Sequence, residues 1–182
     1  LNGYIHDDPK DLYLRVFADA DFAGCAKTSR STSGVFLCIC GPNSWMPVSA
    51  VSKKQGCVSH STPEAELVAV DVALRVEGLP ALTIWEVFLG RPIKLVLSED
   101  NQAAITVLKT GYSTALRHMG RTHKVCLRWI HERLVEKEAE VEYCKSADQA
   151  ADIFTKPFTE PIKWRAALDN IGIQYEDKEN AS

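Results

Sequence analysis

The sequence predicts an α/β fold: a five-stranded mixed sheet, three antiparallel strands followed by two parallel ones, with helices packed on it. Three observations lead there. Three β-rich runs near the start are separated only by turn signals. A well-capped helix, long enough to be a crossover, divides the third run from a fourth. Helical and β-rich segments then alternate to the end.

The first run, Leu12-Tyr-Leu-Arg-Val-Phe-Ala18, ends at Asp19 and is apolar on both faces, as in a central strand covered on both sides. A polar, turn-like stretch from Gly24 to Ser33 leads to a second strand, Gly34 to Cys40. Gly41-Pro-Asn43 signals a turn, with a hairpin partner from about Ser44 to Ser52. Ser61-Thr-Pro-Glu64 then starts a helix, with a hydroxyl N-cap, an early proline and a capping glutamate. That helix is predicted from Pro63 towards Gly78, where Gly78 and Pro80 interrupt it, and a second helical piece covers Ala81 to Phe88. Ile93 to Leu97 reads as the fourth strand, running to Asp100, and Asn101 to Lys109 reads as a helix. Thr110 to Gly120 reads as a loop. Arg121 to Lys137 is predicted as one helix, with Cys126, Trp129, Ile130 and Leu134 on its apolar stripe and Arg121, Lys124, Arg128 and His131 opposite. Glu140 to Cys144 is the fifth strand. A short helix from Asp148, its expected N-cap, to Phe154 ends at Lys156-Pro157.

Composition sets the class. The 182 residues are 46% apolar and 25% charged, enough to bury the core of one domain. No apolar stretch approaches the ~20 residues that span a bilayer, so no membrane partner is expected. The six cysteines never show the C-x₂-C spacing of a zinc site or redox pair, which predicts reduced, mostly buried thiols in an intracellular protein. The tryptophans are expected in the core. A net charge of −3 does not favour nucleic-acid binding, yet Arg117 to Arg128 holds four Lys or Arg residues, two His and no acid. Lys53 and Lys54 form a weaker basic candidate. Glu176 to Glu179 is mostly acidic and expected to fray.

Four acids resist a structural reading. Asp19 and Asp100 close two buried strands, and ligand sites in α/β sheets form beyond the carboxyl ends of strands. Glu66 lines up with Val70, Ala73 and Leu74 on the stripe that faces the sheet, a costly place for an acid without a partner. Asp152 lies among Ala150, Ala151, Ile153 and Phe154. Carboxylates gathered in this way need a cation between them. The set points to a two-metal phosphodiester hydrolase with ions ~3.5–4 Å apart. All-oxygen ligands favour Mg²⁺.

At these residues the chain resembles the ribonuclease H domain of Ty/copia-type retroelement polyproteins. Phe17-Ala-Asp-Ala-Asp-Phe-Ala-Gly24 is similar to the family's D-A-D-W-A-G, and Arg30-Ser-Thr-Ser-Gly34 to its R-S-T-S-G. Ser52-Lys-Lys-Gln55 matches S-K-K-Q, Ser61-Thr-Pro-Glu-Ala-Glu66 resembles S-S-T-E-A-E, and Asp100-Asn-Gln-Ala-Ala-Ile105 matches D-N-Q-A-A-I. Arg121-Thr122 resembles the start of R-T-K-H, and Asp148-Gln-Ala-Ala-Asp-Ile-Phe-Thr-Lys-Pro157 resembles D-Q-L-A-D-I-F-T-K-P. The chain departs from the pattern at His123-Lys124, at Cys126, where an acid is usual, at Glu99, where an uncharged residue is common, and at Gly78 and Pro80. The loop from Lys145 to Ala147 has no histidine, where many ribonucleases H carry a mobile one.

The resemblance implies a ribonuclease H-like fold and an endonuclease that cuts the RNA strand of RNA–DNA hybrids, leaving a 5′-phosphate and a 3′-hydroxyl. It implies Asp19, Glu66, Asp100 and Asp152 as catalytic acids and ligands of two Mg²⁺ ions, with Mn²⁺ able to substitute. Asp21 is then a loop residue near the site. Glu66, Asn101 and Gln102 are candidates for reading the 2′-hydroxyl. Ser31, Thr32, Ser33 and Ser61, with Arg121 and Lys124, are candidates for backbone phosphates, against plain turn and cap chemistry for the hydroxyls. The implied partners are the hybrid and an upstream reverse transcriptase domain of the same polyprotein. The implied location is intracellular, in the cytoplasm or virus-like particles, with nuclear access open. Leu1 in place of Met fits a piece of a longer product, so residues 1–11 are expected as a lead-in, 12–158 as the domain and 159–182 as a C-terminal extension. Two alternatives stay open: an inactive hybrid-binding relic or scaffold on the same fold, and an integrase- or transposase-like nuclease acting on DNA.

Overall fold

The computed structural model describes residues 1–173; the acidic run from Glu176 to Glu179 lies outside the described residues. Five strands form one sheet in the order β3-β2-β1-β4-β5. β1 (Tyr13–Asp21), β2 (Thr32–Gly41) and β3 (Ser44–Lys54) pair antiparallel in sequence. β4 (Leu95–Glu99) joins β1 in parallel, and β5 (Glu140–Tyr143) joins β4 in parallel. This is the predicted three-plus-two arrangement.

The double-sided apolar pattern of β1 and β2 reflects two cores. Leu14, Val16 and Ala18, with Val35, Leu37 and Ile39, pack on Leu67, Val70 and Leu74 of α1 (Thr62–Val72) and the turn after it. On the other face, Phe17, Phe36, Cys38 and Cys40 pack on Ala150, Ala151, Leu168 and Ile171. The last two belong to or follow α6 (Pro161–Asn170), which thereby covers that face. At the chain's start, the Asn2 N–H donates to the Gly172 carbonyl at 2.7 Å, and Tyr4 pairs with Trp45. The six cysteines are free: Cys38, Cys40 and Cys144 are buried, Cys25 and Cys57 half-buried and Cys126 exposed. Trp45, Trp85 and Trp129 pack against the cores, whereas Trp164 lies beside Phe158 and is 39% exposed.

Three predicted elements need correction. Gly78 and Pro80 do not break the helix. After α1 the chain continues through a π-helical turn (Ala73–Gly78) into α2 (Leu79–Leu89). The Leu79 N–H reaches back five residues to Leu74, and this wider turn admits the Pro80 ring within the first turn of α2. Gly78 is there for contact: a Cβ would lie 3.0 Å from Leu95 Cδ2 and 3.1 Å from the Ala73 carbonyl.

The predicted helix from Arg121 to Lys137 is two pieces, α4 (Met119–Thr122) and α5 (Leu127–Val135). Lys124 takes a left-handed φ of 61°, and Cys126 is an extended N-cap. Arg121 and Lys124 therefore do not share a helical face with Arg128 and His131. Ile130 is buried and Trp129 and Leu134 pack on the first core, but Cys126 is exposed. The supposed loop before it buries Leu116 and Met119.

The short last helix is a pair of 3₁₀ turns, Ser146–Asp148 and Ala150–Phe154. Gln149, not Asp148, caps the second, its side chain accepting from the Ala151 N–H at 3.3 Å. Between β4 and α4, α3 (Gln102–Thr110) is capped by Asn101 and stopped at Gly111, whose φ is 69°.

Candidate metal centre

Because β1 and β4 are parallel neighbours, their carboxyl ends share one edge of the sheet. Asp19 lies at that end of β1, and Asp100 directly follows β4. α1 crosses the sheet so that Glu66 meets the same edge. Ligand oxygens of Asp19, Glu66 and Asp100 all lie within 4.8 Å of one another. Asp19 and Glu66 are buried, and Asp100 is half-buried. The Ser146 hydroxyl donates to Asp100 Oδ2 at 2.6 Å, fixing that carboxylate.

One ammonium, that of Lys156, offsets part of this cluster's charge. Glu66 Oε2 is buried with no hydrogen-bond partner among the described residues. Burial, then the charges of Glu99, Asp19 and Asp100, push the Glu66 carboxyl up to about 10. Glu99, fully buried at the end of β4, joins the group. Its Oε1 accepts from the Asn101 N–H at 3.0 Å, while Oε2 is unpartnered. Burial raises Glu99 to about 8, with Asp100 and Asp19 adding to the effect against the backbone hydrogen bonds. Orphaned buried carboxyl oxygens facing other carboxylates are what a divalent cation satisfies. The donor set is all oxygen, suited to a hard ion such as Mg²⁺. The residues present fit the metal.

Asp152 stands beside that triad, across a lysine. Lys156 Nζ lies 3.2 Å from Asp19 Oδ1 and 2.6 Å from Asp152 Oδ1. Burial and the Asp19 charge push Asp152 up to about 7 despite this ammonium. Burial disfavours the charge of Lys156, but Asp152 and Asp19 outweigh it and raise the group above its ordinary value. The Thr155 hydroxyl donates to the other Asp19 oxygen. Sequence reasoning gave no role to Gln149, Thr155 or Lys156. The 3₁₀ turn they flank is five residues long and has no periodicity that would mark them.

The expected substrate contacts are placed unevenly. Ser31 and Ser33 are buried and already bonded, accepting from the Ala23 N–H and the Gln55 amide, each at 3.0 Å. The Ser61 hydroxyl caps α1 through the Glu64 N–H, and Asn101 Oδ1 caps α3 through the Ala104 N–H. Thr32 is half-buried, its N–H donating to Asp21, which thus ends β1 by holding the start of β2. Gln102, Arg121 and Lys124 are exposed.

Glu64, read as a cap, does more. It is 1% exposed and its Oε2 accepts from the His60 N–H at 2.9 Å. Its Oε1 lies 3.0 Å from His118 Nε2 and 2.8 Å from His123 Nε2. Burial works against its charge, but these hydrogen bonds hold the carboxyl below the usual range. The contact fastens the basic segment beside the first turn of α1, two residues from Glu66.

No family model matches the chain. It is 29% identical over 148 residues to the retrovirus-related Pol polyprotein of transposon TNT 1-94 of Nicotiana tabacum, an alignment covering 80% of this chain and 10% of the polyprotein. It is 42% identical over 69 residues to an uncharacterized mitochondrial protein of Arabidopsis thaliana, covering 37% of this chain and 26% of that protein. The chain thus spans from about a tenth to about a quarter of the length of these relatives. Among solved structures it is similar to the LC11 ribonuclease H1 isolated from compost, with a TM-score of 0.53 at 13% identity, covering 79% of this chain and 92% of that one. Together with the strand order, this likeness shows the ribonuclease H-like fold.

Proposed function

We propose that this chain, a homologue of a retrotransposon Pol polyprotein with the ribonuclease H-like fold, is a metal-dependent endonuclease that hydrolyses the RNA strand of RNA–DNA hybrids. The observation that carries this reading is the triad of buried Asp19 and Glu66 with half-buried Asp100, together with an unpartnered Glu66 oxygen. Asp19, Glu66, Asp100 and Asp152 are the residues that would hold two Mg²⁺ ions. Bound there, the ions supply Lewis acidity, activating water and stabilising charge on the phosphate and leaving oxygen.

The chain's own residues do the rest. Ser146 and Thr155 hold the rotamers of Asp100 and Asp19, so the carboxylates are arranged beforehand. The buried α1 face keeps water from the rear of Glu66. Glu66, with the side chains of Asn101 and Gln102 at the start of α3, reads the 2′-hydroxyl that distinguishes RNA from DNA. Thr32, Arg121 and Lys124 contact backbone phosphates. Ser31, Ser33 and Ser61 shape the adjoining turns through the internal hydrogen bonds described above. The domain works within a longer Pol polyprotein, downstream of its reverse transcriptase, inside the cell. Among the described residues no helix is long and apolar enough to cross a membrane.

The test is cleavage of a labelled RNA–DNA hybrid with Mg²⁺, beside an EDTA control and Asp100→Asn. Cutting of the RNA strand only, lost in both controls, is the expected result. Full activity of Asp100→Asn rejects the reading. A folded protein that binds hybrid and Mg²⁺ without turnover is instead a hybrid-binding relic, and cleavage of plain duplex DNA indicates a DNA nuclease.

A further inference from the structure

Lys156 stands between two of the four acids. Its Nζ is within ion-pair distance of both Asp19 and Asp152, and its backbone N–H is bonded to the Asp152 carbonyl at 2.9 Å. The side chain therefore leaves the 3₁₀ turn from a fixed point and is half-buried. Thr155, the preceding residue, takes the second Asp19 oxygen. Both oxygens of Asp19 are thus engaged by consecutive residues of one turn. A lysine in this position supplies one positive charge to the pair. A divalent cation supplies two and seeks the same oxygens, at about 2.0–2.1 Å for Mg²⁺. Two cations crowded onto the same carboxylate oxygens repel strongly at such separations.

We propose that Lys156 is a tethered competitor for the metal: its ammonium and the divalent cation exchange on Asp19 and Asp152, so that Lys156 sets the metal concentration at which the site fills. The proposal rests on the metal-dependent reading above and adds its regulation. Lys156 acts through the two carboxylates and is a positioning residue. It neutralises a pair of acids that otherwise repel, and in doing so lowers their affinity for metal. Lys156, Asp19 and Asp152 all belong to this chain, so the competition is measurable on the protein alone.

The test measures Mn²⁺ binding, by the loss of the free-ion EPR signal, for the whole chain without nucleic acid. The proteins compared are the unaltered chain, Lys156→Met, Lys156→Gln, Lys156→Arg and Asp19→Asn. Circular dichroism and thermal unfolding identify any variant that fails to fold, and Gln replaces Met if Met does. Removing the ammonium is expected to tighten Mn²⁺ binding on the order of tenfold, a modest part of the Coulomb energy of such a pair. Lys156→Arg keeps the charge and is expected to stay near the unaltered chain, whereas Lys156→Met keeps an unbranched apolar stem yet is expected to tighten binding, which a merely structural role for the stem does not predict. Equal or weaker binding by both neutral variants, with binding abolished by Asp19→Asn, overturns the proposal and leaves the metal-dependent reading standing. Absence of Mn²⁺ binding in every protein overturns both.

Discussion

Gln149 Nε2 donates to the carbonyl oxygen of Ala18 at 2.9 Å, joining the turn that carries Asp152 to the strand that carries Asp19. Pairing of β1 with β4 ends at Phe17 and Ser98, and Ala18 lies one residue beyond. The same side chain accepts from the Ala151 N–H, so one buried amide satisfies two backbone groups. Gln149→Leu leaves both groups buried and unpaired. A loss of about 1–3 kcal/mol in unfolding free energy is expected, read by urea denaturation. Hybrid cleavage is expected to fall further than the unfolded fraction explains, because Asp152 loses its register against Asp19. Unchanged stability and unchanged cleavage contradict this role.

Gly34 faces Asp19 across the β1–β2 ladder, and the second 3₁₀ turn packs directly on it. A Cβ there would lie 2.6 Å from Thr155 Cγ2, 2.8 Å from the Ala151 carbonyl and 3.2 Å from Phe154 Cβ. The carbonyl cannot rotate aside, so Gly34→Ala must push the turn outward. A destabilisation of about 1–3 kcal/mol is expected. Cleavage is expected to drop up to about a hundredfold, as misplacing a catalytic group by about 1 Å does. A variant that cleaves normally shows that the turn yields without moving Asp152.

The sequence made the sheet and three of the acids readable for a shared reason. Asp19 and Asp100 follow apolar runs whose ends are visible, and Glu66 interrupts a stripe of period 3.6. Asp152 was readable from its block, but Gln149, Thr155 and Lys156 were not, because a 3₁₀ turn five residues long carries no periodicity. The break between α4 and α5 was hidden for another reason. Glu64 draws in His123 from 59 positions away, and no local pattern encodes that contact. The π-helical turn was misread because Gly78 and Pro80 are ordinary helix breakers, whereas here one packs against Leu95 and the other uses the wider turn.

The raised carboxyls make stability depend on pH and metal together. Asp152 is pushed up to about 7, Glu99 to about 8 and Glu66 to about 10. Each binds its proton more tightly folded than unfolded, so the folded chain holds more protons and unfolding free energy falls as pH rises. The stabilisation is complete below the ordinary carboxylate values and is lost as pH climbs through those three values. Mg²⁺ held by these acids as proposed would bind the ionised forms and oppose the loss. In EDTA, Tm is expected to fall between about pH 5.5 and about pH 8.5, and the rise in Tm on adding Mg²⁺ is expected to be larger at the higher pH. A Tm increment from Mg²⁺ that is equal at both pH values excludes these carboxyls as its source.

Glu64 fixes where the basic segment lies. Its Oε1 meets two imidazole nitrogens; the His123 side chain is 2% exposed and has no ready access to water as a substitute, whereas that of His118 is 37% exposed. Glu64→Ala removes the acceptor from both rings and from the His60 N–H. A loss on the order of 3 kcal/mol is expected, as for a buried pair deprived of one partner. The local consequence separates this contact from general destabilisation. Amide exchange of Arg121, Thr122 and His123 is expected to quicken well before global unfolding, because their N–H bonds run to His118 and Met119 within the tethered turn. Hybrid affinity is expected to weaken with a shallower salt dependence, since Arg121 and Lys124, proposed above to contact the phosphates, lose their fixed position. If exchange in that turn rises only in step with the β1 amides, Glu64 contributes to the core alone and does not place the basic segment.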